Sequence, residues 1–308
     1  MSHINPTKDR AGQGSISNMS KQTGLFRKQR GSIGDVTFRR YKGMTVANEK
    51  CEPAQPRTFA QMVRRVQWRN IQNFWTAFAG TLRLGFENQP RSWNGFNSFI
   101  SANIGHYGVY LTADEARQGG CLVAPYQVTC GSLPSVGMGT TPAGVITSDI
   151  KLGSLVINDE TTLAAFSAAV KANNSGWAYG DQLSAYVAIQ KVNTVTQVPY
   201  VEVKAFEITL SEDSETLLVD LIGNDPTAFS VTDQKLCLNA TINGGACYVH
   251  SRKSGGRTLV SSQRFTVTND LLDSYTTAAK REAAIISYGG KVTQPFLTPN
   301  IDDILIND

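Results

Sequence analysis

The sequence predicts an α+β protein in which a basic N-terminal region precedes an immunoglobulin-like β-sandwich. Three observations lead to this class. The 308 residues are 41% hydrophobic, which is enough for a packed core. One segment after residue 57 has the apolar period of a helix. From residue 121 onward, short β-branched runs alternate with turn residues. The length indicates roughly two domains.

The N-terminal region is predicted to be an extended arm followed by a β-hairpin. Residues 1–25 are polar, with few apolar anchors, so we do not expect them to fold alone. In "DVTFRRY", Val36 and Phe38 alternate with polar residues, and "MTVANEK" follows across a turn that contains Gly43. Because one hairpin is not stable alone, we expect it to pack on other elements.

The clearest helix is predicted after Pro56. Thr58 and Gln61 have the T-x-x-Q spacing of a capping box. Residues that recur every three or four positions predict one inward stripe: Val63, Val66, Asn70 or Ile71, Phe74, Phe78 and Leu82. A shorter second helix is predicted in "RSWNGFNSFISANIG", with an apolar set of Trp93, Phe96, Phe99, Ile100 and Ile104. Hairpin and helices together form a predicted unit of residues 26–110.

Seven apolar and β-branched runs predict the β-sandwich over residues 121–268. They are "CLVAPYQVTCGSL", "KLGSLVIN", "DQLSAYVAIQKV", "YVEVKAFEITL", "KLCLNATI", "ACYVHSRK" and "RTLVSSQRFTVT". An inserted helix is predicted in "DETTLAAFSAAVKANN", and a hairpin is predicted around Gly255 and Gly256. Residues 269–308 are expected to form a C-terminal helix, which begins near Asn269 or Asp270, and then an extended tail that acts as a second arm.

Charge is distributed unevenly along the chain. Residues 1–91 hold sixteen Lys or Arg and five Asp or Glu, a net charge of +11. Residues 92–308 hold thirteen basic and twenty acidic residues, a net charge of −7. A basic head on an acidic body indicates a polyanionic partner, or head-to-body contact with an identical neighbour. An ordinary solvated surface of uneven sign is the third interpretation.

The candidate contact residues are basic, and aromatic residues lie among them. Single-stranded nucleic acid is bound by such mixtures, because cations neutralise phosphates and rings stack on bases. Strand alternation explains the aromatic residues equally well as a buried face. We assign subunit or DNA contact to Arg27, Lys28, Arg30, Arg39, Arg40, Lys42, Arg64, Arg65 and Arg69. Contact with protein through the arms is the favoured interpretation, and non-specific DNA contact stays open.

Motifs for enzymatic chemistry are missing from the sequence. It contains no phosphate-binding loop, nucleophile elbow, H-E-x-x-H or dinucleotide motif, so we expect no enzyme, no catalytic residues, no cofactor and no metal. "GSIG" at residues 31–34 fits the G-x-x-G loop of a KH domain, but that loop needs a helix on each side and here a strand is predicted to follow. A hydrolase whose carboxylates meet only in the folded chain is the enzymatic alternative.

Cysteine usage and hydropathy indicate a reducing compartment. The five cysteines are odd in number and lack a C-x-x-C pair, so we expect five free thiols. The first residues lack the apolar region of a secretory signal, and no run of eighteen apolar residues occurs. We therefore expect neither export nor membrane contact.

The opening of the chain resembles a family of proteins from Bacteroidota and their phages. The resemblance is seen in "FRKQRGSIGDVTFRRYKGMTVANEK", "PRTFAQMVRRVQW" and "LRLGF", and more loosely in "LVAPYQVTCGSLPS" and "ACYVHSRKSGGRTLVSSQRF". The positions that match the family's opening are Gly31, Gly34, Val36, Gly43, Pro56, Arg57, Thr58, Ala60 and Gln61. Phe59 stands where the family usually has Pro, so the helix start is less rigid while the cap remains.

The pattern R-G-S-I-G-x-V-x-F-R also resembles virion proteins of crAss-like phages. This resemblance implies a structural protein of the virion, assembled in the host cytoplasm, that forms an oligomeric ring in the neck or short tail. The implied partners are identical subunits and other neck, tail or portal proteins, with non-specific contact to packaged DNA left open. The alternatives are a basic DNA-binding phage or host protein and a host-encoded surface or adhesion module.

Overall fold

Several antiparallel sheets and six α-helices make the described part of the chain a mixed α/β fold. The computed structural model describes residues 20–21, 31–41, 44–50, 57–78, 85–90, 92–222 and 229–290. Contacts divide the chain into two compact units, residues 1–56 and residues 57–308. The predicted arm at residues 1–25, apart from Ser20 and Lys21, and the predicted tail beyond residue 290 lie outside the described residues.

The first unit contains an antiparallel sheet of four short strands. They are β1 (Ser20–Lys21), β2 (Gly31–Ile33), β3 (Val36–Tyr41) and β4 (Met44–Glu49), in the spatial order β1-β4-β3-β2. Strands β3 and β4 confirm the predicted hairpin, in which Tyr41 pairs with Met44. Between β2 and β3, Gly34 has a φ of +56°, a conformation that strains most residues but not glycine. A strand therefore follows the G-x-x-G segment, as predicted.

The second unit contains all six described α-helices and one 3₁₀ helix at Asp273–Tyr275. The α-helices are α1 (Phe59–Phe78), α2 (Gly95–Asn103), α3 (Ala113–Arg117), α4 (Leu163–Asn173), α5 (Leu218–Ile222) and α6 (Ala278–Ser287). Helix α1 confirms the clearest prediction, but the predicted Val63 is only partly buried and the predicted Leu82 lies outside the described residues. The buried residues of α1 follow the helical period: Met62, Val66, Asn70, Ile71, Phe74 and Phe78. Helix α4 confirms the inserted helix, which Thr162 caps by accepting a hydrogen bond from the Ala165 amide.

The strands of the second unit form two larger sheets and one short pair. In chain order they are β5 (Gln127–Thr129), β6 (Met138–Thr140), β7 (Ile146–Lys151), β8 (Gln182–Val192), β9 (Pro199–Thr209), β10 (Phe229–Thr232), β11 (Lys235–Leu238), β12 (Gly244–Ser254), β13 (Arg257–Val260), β14 (Gln263–Arg264) and β15 (Thr266–Thr268). The central sheet has the order β13-β12-β8-β9, with β15 also paired to β12. A second sheet has the order β10-β11-β7-β6, and β14 pairs with β5.

The central sheet separates two hydrophobic cores, because successive residues of a strand face opposite sides. On one face, Leu183, Ala185 and Val187 of β8 pack with α4, α5 and the second sheet. On the other face, Tyr186 and Ala188 pack with α1 and α2. The second unit is therefore layered: helices cover one face of the central sheet, and a sheet with two helices covers the other.

Aromatic side chains attach α1 to the β-rich region. The ring of Phe78 lies with its centroid 5.3 Å from that of Tyr186 and 5.6 Å from that of Phe265. The ring of Phe74 is 5.3 Å from that of Tyr126. Because these residues share one core, α1 and the central sheet belong to one compact unit.

The predictions of a strand in "KLGSLVIN" and of a buried Trp93 are both wrong. The strand predicted in "KLGSLVIN" is absent, since β7 ends at Lys151 and Gly153 adopts a φ of +59° that breaks an extended chain. The strand in this region is β7, whose residues Ile146–Lys151 lie almost entirely before the predicted segment. Trp93, predicted to face the core, is 42% exposed, because it precedes the Asn94 cap and lies outside α2.

The C-terminal helix begins later than predicted. Helix α6 starts after Thr277, whose hydroxyl accepts a hydrogen bond from the Lys280 amide. The side chain of Asn269 is not a cap for this helix, because it donates hydrogen bonds to the Val123 carbonyl and the Gln190 side chain. The short helices α3 and α5 were not predicted, because each spans only five residues.

Candidate interaction surface

The outer face of α1 presents three arginines around one tryptophan. Arg64, Arg65 and Arg69 are exposed, and Trp68 is 39% exposed between them. The spacings 64/68 and 65/69 place these side chains on neighbouring stripes of the helix, opposite the residues buried in the core. We call these four residues the Arg–Trp face.

Helix α2 supports the Arg–Trp face through aromatic contacts. The indole of Trp68 meets Phe96 edge-on, with centroids 6.2 Å apart and planes at 83°. Phe96 in turn contacts Trp75, at a centroid distance of 6.0 Å. The Asn94 side chain fixes the start of α2 by accepting a hydrogen bond of 2.9 Å from the Asn97 amide. The exposed indole of Trp68 is therefore held on a rigid two-helix platform.

The three arginines have no carboxylate partner among the described residues. Arg69 donates a long hydrogen bond of 3.5 Å to the Gln72 side chain. The guanidinium of Arg64 lies against the chain just after α2, so a Cβ built on Gly105 would approach its Nη1 to 2.1 Å. Because no ion pair within the described body neutralises these charges, they are available to an acidic partner.

The other predicted contact residues lie in the first unit or outside the described residues. Arg39 and Arg40 belong to β3 in the first unit, where they pair with Val46 and Thr45 of β4. Arg27, Lys28, Arg30 and Lys42 lie outside the described residues. Of the nine predicted positions, the structure thus groups Arg64, Arg65 and Arg69 on one surface.

The second unit also contains a buried polar cluster, which the sequence did not predict. Asp181 accepts hydrogen bonds from Arg252 Nε and Nη2, each 2.6 Å long, and its Oδ2 lies 3.0 Å from His250 Nε2. The Ala178 amide donates a further bond of 2.8 Å to the same carboxylate. Asp181 and His250 are 69 positions apart, so the sequence gives no sign that they meet. The one signal in the sequence is the i, i+2 spacing of His250 and Arg252, which places both side chains on the same face of β12.

Burial and hydrogen bonds set the charge states in this cluster. Burial acts to raise the pKa of Asp181, but hydrogen bonds from Arg252, the Ala178 amide and His250 outweigh it and hold that pKa below its ordinary value. Burial lowers the pKa of His250 and outweighs the attraction of Asp181. The carboxylate is therefore charged and the imidazole is favoured in its neutral form at pH 7.

The cluster connects a loop to the central sheet. The ring of His250 lies beside a cleft of about 270 Å³, which Trp177, Asp149, Lys151 and Asn174 also line. All four bonds to the Asp181 carboxylate come from the chain itself. Arg252 Nη2 also donates a 2.6 Å bond to the Gly176 carbonyl, so the arginine clamps residues 176–181 onto β12. These hydrogen bonds hold the loop of residues 176–181 rigidly against the central sheet.

Two further carboxylates connect distant segments in the same way. Glu115 accepts hydrogen bonds from Lys280 (2.8 Å), Tyr275 (2.9 Å) and the Thr112 amide (2.7 Å), which joins α3 to α6. Burial acts to raise the pKa of Glu115, but these bonds lower it overall. Glu87 accepts from the Ser132 and Val260 amides and so joins residues 85–90 to β13.

In the described part of the chain, no metal-binding group and no membrane-spanning helix is found, and the cysteines are free. Its residues form no group of three or more His, Cys, Asp or Glu side chains that would hold a metal ion. Cys121, Cys130, Cys237 and Cys247 are free, and Cys51 lies outside the described residues. Among the described helices, none has the length and apolar character needed to cross a bilayer.

Comparison of the chain with protein-family models, with curated proteins and with solved structures gave no match.

Proposed function

We propose that this chain is a non-enzymatic structural subunit of a bacteriophage virion. In this proposal, copies of the chain assemble into a ring of the neck or short tail and contact other neck, tail or portal proteins there. The two sheets of residues 121–268 would form an immunoglobulin-like body. In support, Ala185 of the central sheet and Ile146 and Leu236 of the second sheet share one core.

The observation that most supports the proposal is the division of the chain into a small basic unit and a larger body. Residues 1–56 hold ten basic and four acidic residues, a net charge of +6, and they form a compact unit separate from residues 57–308. A short basic sheet with polar sequence on its N-terminal side is suited to reach a neighbouring subunit. The body would then keep its shape while the terminal arms add contact area.

The hydrogen-bonded carboxylates of the body also support a structural role. Asp181, which is buried, and Glu115 and Glu87, which are partly buried, each connect segments that are far apart in sequence. Satisfied hydrogen-bond networks of this kind stiffen a fold and favour one conformation. A rigid body is what a ring requires, because small errors in the angle between subunits accumulate around it.

Nucleic-acid binding is the second candidate function, and the Arg–Trp face is the observation that favours it. Three exposed arginines beside a half-exposed indole are groups that neutralise phosphates and stack on bases. A DNA-binding monomer would show affinity that falls steeply as salt rises.

The mass of the native full-length chain separates the two functions. We expect native mass spectrometry and mass photometry to show one closed oligomer of defined subunit number, and negative-stain images to show rings. The protein should also be found in purified virions. A chain that stays monomeric at every accessible concentration, and that binds DNA in that form, would contradict the structural role.

A further inference from the structure

We infer that the Arg–Trp face of one copy binds an acidic surface of the next copy, an inference that rests on the proposed self-assembly. This surface consists of residues 157–162 and 211–217, which we call the acidic loops. Their acidic residues are Asp159, Glu160, Glu212, Asp213 and Glu215.

The acidic loops form one preorganised surface. The Leu163 amide donates to the Thr216 carbonyl, and the Leu218 amide donates to the Thr161 carbonyl, each at 2.8 Å. A third bond of 3.1 Å joins the Ala164 amide to the Ser214 carbonyl. All five acidic side chains are exposed, and none of them forms an ion pair within the described part of the chain. Their charge is therefore presented outward on a fixed backbone.

The layered body keeps the two charged surfaces apart within one copy. The Arg–Trp face lies on α1, which packs on the Tyr186 face of the central sheet. The acidic loops precede α4 and α5, which pack on the opposite face with Leu183. Since the central sheet lies between them, these surfaces cannot neutralise each other in one molecule. A head-to-tail contact between two molecules brings them together.

Apolar side chains accompany the charges on both surfaces. Trp68 is 39% exposed within the Arg–Trp face. Beside the acidic loops, Val156 is 72% exposed and Leu221 is 39% exposed. Tryptophan and arginine are enriched among residues that dominate protein interfaces, and an apolar centre with a charged rim is the usual arrangement. The two surfaces therefore match in charge and in apolar content.

A second copy of the chain explains more of the surface than a nucleic acid does. Phosphates would neutralise Arg64, Arg65 and Arg69, but a nucleic acid on this face would leave the five acidic side chains on the other layer without a partner. A copy uses both surfaces at once. Because the surfaces differ, the contact is heterologous, and repetition of one rotation gives a ring if the rotation closes.

Charge exchange in the full-length chain tests the inference. The first variant, R64E/R65E/R69E, reverses the Arg–Trp face. The second, E212K/D213K/E215K, reverses part of the acidic loops. The third combines all six substitutions. The matched control, K253E/R257E, reverses two exposed charges of the β12–β13 hairpin, which belongs to neither surface. Circular dichroism and thermal melting establish that each variant is folded.

We expect each single-surface variant to raise the apparent dissociation constant for self-association by roughly tenfold or more, because like charges then face each other. The six-fold variant should recover assembly, since opposite charges again meet with the signs exchanged. Self-association of the unmodified chain should weaken between low and high salt. The control variant should assemble like the unmodified chain. Mass photometry and analytical ultracentrifugation measure all of these.

The possible failures are distinguishable. If the unmodified chain remains monomeric, the proposed function fails. If it assembles but both single-surface variants assemble equally well, the inference alone is overturned. It is also overturned if the folded six-fold variant fails to recover assembly, or if reversal of the Arg–Trp face abolishes only binding to a single-stranded oligonucleotide. Should R64E/R65E/R69E not fold, the acidic-loop variant, whose changes are all on exposed loops, decides alone.

Discussion

The imidazole of His250 stacks on the indole of Trp177, with ring centroids 3.9 Å apart and planes at 16°. This stack covers one side of the Asp181 network, which leaves the histidine 4% exposed and the carboxylate 2% exposed. The residues meet because β12 and the loop before β8 approach each other, and Arg252 holds the same loop through the Gly176 carbonyl. The stack therefore marks the point at which this loop is fastened to the central sheet.

The stability of the body should decrease as pH falls below the ordinary pKa of histidine. The folded-state pKa of His250 is lowered by burial, so the unfolded state binds a proton more readily than the folded state does. The stabilisation is fully present above about pH 6.5 and is lost as pH falls through the folded-state pKa. Urea unfolding between pH 7.5 and pH 5 should therefore show a falling free energy of unfolding.

The variant His250→Gln isolates this contribution, because glutamine can bond to Asp181 but does not titrate in this range. We expect its free energy of unfolding to vary less between pH 7.5 and pH 5 than that of the unmodified chain. His106→Gln, which changes an exposed histidine after α2, is the matched control. An unchanged profile in His250→Gln would show that other groups cause the pH dependence.

Asp181→Asn should destabilise the body by about 3 kcal/mol, because it leaves Arg252 without its buried carboxylate partner. The bidentate geometry, with two bonds of 2.6 Å, is lost along with the charge. Urea denaturation at pH 7 measures the change. Asp114→Asn is the matched control, because its ion pair with Arg117 is exposed on both sides, and little change is expected there. Equal losses in the two variants would contradict the structural importance of the Asp181 network.

Gly244→Ala should cost about 2 kcal/mol or more, because β12 and β8 are in very close contact there. Gly244 has a φ of +154°, and a Cβ at this position would lie 2.0 Å from the backbone carbonyl oxygen of Ala188. That oxygen belongs to a buried strand and cannot rotate away. Gly139→Ala is the control, since its nearest neighbour would be 3.8 Å away. Thermal denaturation of both variants makes the comparison, and similar melting temperatures would contradict this account of Gly244.

Deletion of residues 1–25 should abolish assembly while leaving the body folded. Residues 57–308 form their own compact unit, so their circular dichroism spectrum and cooperative unfolding should be retained. The arm is expected to add contact area between subunits, and its removal should convert the oligomer to monomers by mass photometry. Normal oligomers from the truncated chain would show that the body alone assembles and that the arm is not required.

Periodicity determined much of the secondary structure in advance. Helix α1 was predictable because its apolar residues recur at helical spacing over five turns. The long strands β8 and β9 were predictable because runs of eleven residues rich in β-branched and aromatic side chains favour the extended conformation. The β3–β4 hairpin was predictable from the alternation in β3 and from the glycine that precedes β4 in the sequence. Short elements such as α3 and α5 were not, because five residues are too few to show a period.

The sequence by itself determined the basic opening, the helical stripe of α1 and the β-rich character of the region after residue 121, since each of these is written in local spacing and composition. Only the tertiary structure decided that α1 and α2 share a core with the central sheet, that Asp181 meets His250 and Arg252, and that the Arg–Trp face lies across the sheet from the acidic loops. These relations join residues far apart in the chain. They depend on which faces of the helices and sheets pack together, and local sequence patterns do not specify this.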